Sequence, residues 1–275
     1  MKKITVAVYH VEKSGAGKRG LLKRLDPATN AWTHARMLRY SIRKCSPGAK
    51  FVLLTDTDSP VDASLFDEVR RYEVDRDAIM YERTRVQIEY LESLPPDEGL
   101  LCFLDTDMLV VRRSFFEGIG TAPLALTIRE DEITRVNGGV ILVNMRKHGE
   151  ALSLLKSALE IYARDFSDKK AWWGDQLAFD ALLETPEGSS VQQLDCNEFN
   201  YSPGPFRSAW LMVHTANRSL LHFKGTWKRY MPVVFCRYWA LGCMRNIGLG
   251  VAFTSGFALL KDCLKAAITR IPRHS

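Results

Sequence analysis

The tripeptide Asp-Thr-Asp occurs twice, as Asp56-Thr57-Asp58 and Asp105-Thr106-Asp107, each time at the end of an apolar run. Two ionised carboxylates one residue apart repel each other, and they lose hydration when flanked by apolar chain, unless a cation balances them. A hard divalent ion bound through oxygen is the natural partner. The residues downstream separate the two copies. After the first comes Ser59-Pro60, which forces a turn, and nothing nearby offers a third ligand. Asp56 and Asp58 therefore read as turn and rim residues that bond locally. The second copy lies between "LCFL" and "MLVV", so Asp105 and Asp107 read as the working pair, with a solvated tight turn as the plainer alternative.

Such a pair works only if the elements around it open a crevice. "KITVAVY" (3–9), "KFVLLT" (50–55), "VRRYEV" (69–74), "LLCFLD" (100–105), "LALTI" (124–128) and "GVILVN" (139–144) read as strands. Helices are predicted over 31–43, where Trp32, Ala35, Leu38 and Ile42 share a face, and over 78–93, 148–163 and 175–184. The stretch 185–227 reads as irregular. Alternating strands and helices predict an α/β, mostly parallel sheet. Ligands of such sheets collect at the carboxyl ends of the strands, where both acidic copies fall.

Two other motifs compete. "GAGKRG" at 15–20 fits a dinucleotide-binding glycine pattern, but the preceding strand ends several residues earlier and no apolar helix face comes after it. Read as a phosphate loop it has Arg19 where Ser or Thr should follow Lys18, so a solvated basic loop is expected. "FLDTDMLV" also resembles the aspartyl-phosphate motif of haloacid-dehalogenase-type phosphatases, which would make Asp105 a nucleophile, with "GDQLAFD" (174–180) as the later acidic motif. That family puts its nucleophile on the first strand, whereas here about a hundred residues come first.

The chain has 275 residues, 46% of them hydrophobic, enough for one large domain with a sizeable core. Its formal charge of +6 is uneven. From Lys228 to Ser275 there are eight basic residues and Asp262 alone, net +7, which leaves the other 227 residues at −1. The six cysteines (45, 102, 196, 236, 243, 263) form no Cys-x-x-Cys pair and several sit in apolar runs, so reduced thiols and a cytoplasmic setting are expected. The start "MKKITVAVYHVEK" alternates like a strand and is too short in apolar residues for a secretory core. No run of about 18 apolar residues predicts a spanning helix.

Four islands in order decide between the readings: "FLDTDMLV" (103–110), "VNGGVILVNM" (136–145), "WWGDQLAFDALL" (172–183) and "HFKGTWK" (222–228). Together they resemble the nucleotide-sugar glycosyltransferases of the A-type fold, and most closely the glycogenin and galactosyltransferase group known as family 8. Residues 1–99 agree only in strand-helix pattern and in the "LLTD" strand end. There are two departures: "KRG" enlarges the loop after the first strand, and Arg229-Tyr230 replaces a Pro-Trp pair.

The resemblance implies a single Rossmann-like nucleotide-diphospho-sugar transferase domain (GT-A) over residues 1–230, a mostly parallel mixed sheet flanked by helices. It implies a C-terminal helical appendage at 231–275. It implies Mn2+ or Mg2+ held by Asp105, Asp107 and His222, with Gly225 letting backbone approach phosphate and Lys228 adding a point charge. Asn137, Gly138 and Gly139 would lie along a sugar ring, where glycines permit close approach and Asn137 offers donor and acceptor; a plain turn before a strand explains the glycines almost as well. Asp175 and Gln176 would face the donor sugar and the reaction centre, and Trp172 and Trp173 would stack on sugar faces or pack in the core. Tyr9, Thr106 and one of Arg83 or Arg85 complete the expected donor contacts.

The function so implied is transfer of a hexose from a nucleotide sugar, a uridine diphosphate sugar, to a glycan or lipid-linked hydroxyl, with retention. A phosphatase using Asp105 is the alternative. A binding-only relative is disfavoured, because every expected polar position is filled. Nucleic acid is not among the expected partners. An anionic membrane surface is, for residues from about 231 onward: "NIGLGVAFTSGFALLKDCLKAAITRIPR" (246–273) interleaves apolar and basic residues, and its 15-residue run from Asn246 to Leu260 suits the interface at the inner face of a membrane, with a C-terminal helix packed on the domain and basic on its outer face as the plainer alternative.

Overall fold

The computed structural model describes residues 3–12, 31–131, 133–202 and 217–239. The basic loop with "GAGKRG" and the apolar-basic segment 246–273 lie outside the described residues. Seven strands form the main sheet: β1 (Ile4–Tyr9), β2 (Lys50–Asp56), β3 (Glu68–Tyr72), β4 (Leu100–Leu104), β6 (Leu124–Ile128), β7 (Val136–Asn144) and β8 (Gln192–Asp195), in the order β3-β2-β1-β4-β7-β6-β8. Between β4 and β6 the short strand β5 (Met108–Val110) leaves this sheet to pair antiparallel with β9 (Leu220–His222).

The sheet is mixed and mostly parallel. β1, β2, β3 and β4 run parallel, as do β6 and β8, while β7 runs antiparallel to both of its neighbours. This reversal matters for the site. The parallel strands bring their carboxyl ends, at Tyr9, Asp56 and Leu104, to one edge, and β7 begins its course at that same edge with Val136. It starts three residues earlier than expected, so Asn137, Gly138 and Gly139 are part of the strand and do not precede it. β8 and β9 fall in the stretch that reads as irregular in sequence. Each is only three or four residues long, too short for alternation to mark it.

Apolar strands buried on both faces need cover on both faces. On one side lie α2 (Ile79–Glu92), α3 (His148–Asp165) and α4 (Gly174–Leu183), whose Val86, Ile88, Leu91, Leu154, Leu155, Ala158 and Phe179 meet Leu101, Phe103 and Ile141 of the sheet. The buried positions of α3, at 151, 154, 155, 158, 161 and 162, have the spacing of one helical face. On the other side α1 (Ala31–Cys45) lays Ala35, Leu38 and Ile42 on Val6, Val8 and Phe51. Each fully buried valine, leucine, isoleucine or phenylalanine among them contributes about 1.5–3 kcal/mol.

A third cluster sits under the β5–β9 pair. Met37, Leu109, Leu221 and Phe223 enclose Met231, Val234 and Phe235 of α6 (Met231–Tyr238), counting the one-turn helix Cys196–Phe199 as α5. Tyr40 meets Phe235 edge-on at 5.4 Å. The first two turns of the segment expected as an appendage are thus packed on the domain. Cys45, Cys102 and Cys196 are free thiols, but Cys236 is in a disulfide, against the expectation of six reduced cysteines.

Candidate active site

The turn between β4 and β5 carries the second acidic pair. The Asp105 amide donates to the Gly139 carbonyl at 3.1 Å, which ties the turn to the start of β7. The Phe223 amide donates to the Asp107 carbonyl at 2.8 Å, which ties it to the end of β9. His222 therefore arrives over both carboxylates, its Nε2 3.5 Å from Asp105 Oδ2 and 3.6 Å from Asp107 Oδ1. One ligand atom from each of the three lies within 4.8 Å of the others, and it is the group of this kind among the described residues.

Space and charge around this triad suit a cation. A Cβ at Gly139 would stand 2.7 Å from His222 Cε1 and 2.9 Å from Asp105 Oδ2, so glycine is what allows the three to converge. Lys228 Nζ reaches Asp107 Oδ2 at 2.9 Å. Burial would raise the Asp107 carboxyl, but His222 and Lys228 outweigh it and hold it well below the usual carboxylate range. Burial likewise works against the Lys228 charge, and Asp107 reverses this to raise its pKa. Two carboxylates and one imidazole make a donor set that fits a divalent metal ion.

Beside the triad stands Arg83, which points from the start of α2 across the carboxyl ends of the strands. It donates to Asp105 Oδ1 at 2.9 Å, to the Gly138 carbonyl at 3.3 Å and to Asp175 Oδ2. Its burial disfavours charge, yet Asp175 and Asp105 raise its pKa above the ordinary arginine value. Arg85, the other candidate, is turned away onto Glu82 and Glu89 along α2. Asp175 is 1% exposed, and its Oδ1 has no hydrogen-bond partner among the described residues. The chain delivers it by a tight entry into α4: Trp173 adopts φ of 68°, and a Cβ at Gly174 would overlap the Tyr162 ring at 2.2 Å. A bulky residue in that region marks local strain, which is found where a site over-determines the backbone. Gln176 lies alongside, its Cγ 3.2 Å from where a Gly138 Cβ would be.

The remaining expected residues divide. Thr106 is half-buried in the turn between its two aspartates. Gly225 takes φ of +55° with open space on its Cβ side. Tyr9, at the end of β1, has a buried hydroxyl with no partner among the described residues; burial, then Glu82 and Asp56, raises its pKa. Trp172 is 65% exposed, which rules out core packing for it, whereas Trp173 is half-buried. At the first copy, Asp56 accepts from the Ser59 amide and from Arg76 Nε, both at 2.8 Å. Burial opposes its charge, but Ser59 and Arg76 lower its pKa. Asp58 points to solvent, its side chain 77% exposed.

No family model matches the chain, and no curated protein matches it in sequence. Solved structures do match in shape. Against the glycosyltransferase GlyE of Streptococcus pneumoniae TIGR4 the TM-score is 0.52 at 14% identity, over 91% of this chain and 64% of that one, so the chain spans just under two thirds of GlyE. Against the galactosyltransferase LgtC, solved in complex with donor and acceptor sugar analogues, the TM-score is 0.50 at 15% identity, over 91% and 96%. A glycosyltransferase involved in glycosylation of the major capsid of PBCV-1 gives 0.51 at 14%, over 83% and 98%. The fold is the A-type glycosyltransferase fold.

In the GT-A fold a phosphatase reading of Asp105 loses its footing, since three strands precede β4 and the sheet reverses at β7. Sequence reasoning missed two residues that the fold brings against the expected site residues. Asn200, which is 1% exposed, bonds His222, Thr127 and the backbone of Asn137. Lys224 Nζ donates to Asn137 Oδ1 at 2.8 Å, with its pKa lowered by burial and by Arg129. Lys224 stands two residues from His222 inside "HFKGTWK", a signal that could have found it. Asn200 lies 22 residues from its histidine in a stretch without pattern, and only folding reveals it.

Proposed function

We propose that the protein is a metal-dependent glycosyltransferase that moves a hexose from a nucleotide sugar, a uridine diphosphate sugar, to a hydroxyl of a glycan or glycolipid with retention. The observation that carries this reading is the convergence of Asp105, Asp107 and His222, with Lys228 on Asp107, at the carboxyl edge of a GT-A sheet. Asp105, Asp107 and His222 would hold a Mn2+ or Mg2+ ion, which when bound would supply Lewis-acid stabilisation of the departing nucleoside diphosphate.

The chain's own residues do the rest. Lys228 exchanges its carboxylate partner for a phosphate oxygen as the donor seats, a point charge on a flexible stem. The open side of Gly225 admits phosphate against backbone. Arg83 holds Asp105 and Asp175 in a fixed relation, so the metal side and the sugar side move as one unit. Asp175 Oδ1, buried and without a hydrogen-bond partner among the described residues, accepts from a hydroxyl of the donor hexose, and an unmet buried acceptor of this kind discriminates against sugars that lack the hydroxyl. Asn137 offers its amide hydrogens to the ring, Gln176 faces the reaction centre, and exposed Trp172 is available to stack on the acceptor.

The acceptor is a glycan or lipid-linked sugar at an anionic membrane surface, where the protein docks peripherally through the basic segment beyond residue 239. A screen of nucleotide sugars with manganese tests the reaction class. The expected products are nucleoside diphosphate and free hexose. Inorganic phosphate together with an aspartyl-phosphate on Asp105 would replace the transferase reading by a phosphatase.

A further inference from the structure

A buried polar seam runs behind the metal triad and joins the two sheets. Thr127 of β6 donates from Oγ1 to the Asn137 carbonyl of β7 at 2.9 Å. Asn200 Nδ2 donates to Thr127 Oγ1 at 2.8 Å and to the same carbonyl at 3.2 Å, and the other end of the Asn200 amide lies 2.8 Å from His222 Nδ1 on β9. Asn200, Thr127 and His222 are all nearly sealed from solvent.

The donors and acceptors in this seam can be assigned from chemistry alone. A backbone carbonyl only accepts, so the Asn200 atom facing Asn137 is the amide nitrogen, and the atom facing His222 is the oxygen. An oxygen only accepts in turn, so the hydrogen between them belongs to His222 Nδ1. A neutral imidazole with its hydrogen on Nδ1 carries its lone pair on Nε2, the atom directed at Asp105 and Asp107.

We propose that Asn200 is a positioning residue of the metal centre: it fixes the hydrogen of His222 on Nδ1 and the plane of the ring, so that Nε2 is presented to the ion as a ligand. Because Asn200 also bonds the Asn137 carbonyl, the same side chain locks the ligand on β9 to the strand that runs along the donor sugar. The role rests on the proposed metal site. Outer partners of a histidine ligand act in this way, and their loss weakens metal binding about 10- to 100-fold.

The test needs no turnover. Nitrogen-15 spectra of the histidine-labelled, metal-free protein at alkaline pH, with His222 assigned through His222→Gln, are expected to show the hydrogen on Nδ1. Asn200→Ala is expected to shift it toward Nε2 and to weaken Mn2+ binding by calorimetry about 10- to 100-fold, while Asn200→Asp, which keeps an acceptor for Nδ1–H, restores both. A wild-type His222 with its hydrogen on Nε2 overturns the proposal, whether or not any variant folds. So does a folded Asn200→Ala with unchanged tautomer and Mn2+ affinity. If the wild-type protein binds no Mn2+ at all, the functional reading fails instead, and the tautomer alone decides what Asn200 does.

Discussion

Gly139 shows how much of the site depends on a missing atom. Its Cβ would fall within 3 Å of His222, Met108 and Asp105 together, so Gly139→Ala must displace two of the three expected ligands. Mn2+ affinity is expected to fall at least tenfold, with a stability loss of about 1–3 kcal/mol from overpacking; calorimetry and denaturant melts report the two separately. A second residue gives a pH signature away from the acidic pair. His10, at the end of β1, meets Trp32 edge-on at 5.0 Å, and burial, then Lys228, lowers its pKa to about 4. Its unfolded value is near 6.5. Between the two the unfolded chain binds the proton and the folded one does not, so stability present above about pH 6.5 is lost as the pH falls toward 4. Allowing for partial exposure of the ring, the loss is about 2 kcal/mol. Melts at pH 7 and 4.5 should show that drop in the wild type and a smaller one in His10→Gln. At this scale the sequence discloses types and not partners. Asp105, Asp107 and His222 can be grouped because a motif spaces them, but choosing Arg83 over Arg85 required the direction of each side chain from α2.

Element by element, legibility follows length and burial. β1, β2 and β4 are readable to within a residue or two, as is α3 with its six positions on one face, because long periodic segments have one low-energy way to bury themselves. β8 and β9 are not: Leu220–His222 holds its place by pairing with Met108–Val110, over a hundred residues away. The antiparallel course of β7 is equally silent, since an apolar run buried on both faces carries no direction. In sequence the tail from 231 onward allows a docking segment or a helix packed on the domain, and in α6 Phe235 is fully buried against the β5–β9 pair. Phe235→Ala is therefore expected to cost about 3–5 kcal/mol. If melting shows less than 1 kcal/mol, α6 is an appendage after all. Removal of residues after Tyr230 should likewise impair folding, and the informative cut lies after Trp239.

For the whole molecule, charge divides unevenly: residues 1–227 sum to −1 and residues 228–275 to +7. No helix among the described residues is long and apolar enough to cross a membrane; peripheral, electrostatic attachment by the basic segment beyond residue 239 is a proposal that rests on its sequence charge. Full-length protein is expected to sediment with anionic vesicles at low salt and to be released at about 0.5 M salt, whereas protein ending at Trp239 stays in solution and still cleaves donor sugar. Binding that persists in the shortened protein would transfer the membrane surface to the folded domain. Two identical tripeptides, one tied up by Ser59 and Arg76 and one open to His222 and Lys228, give the most direct measurement of all. Mn2+ binding and manganese-dependent hydrolysis of a uridine diphosphate sugar should be followed in Asp105→Asn, Asp107→Asn and Asp56→Asn. Loss of both properties in the first two, by a hundredfold or more for removal of a metal carboxylate, with most activity kept in the third, is the expected result. Full activity without metal, or a lethal Asp56→Asn beside a working Asp107→Asn, would contradict it.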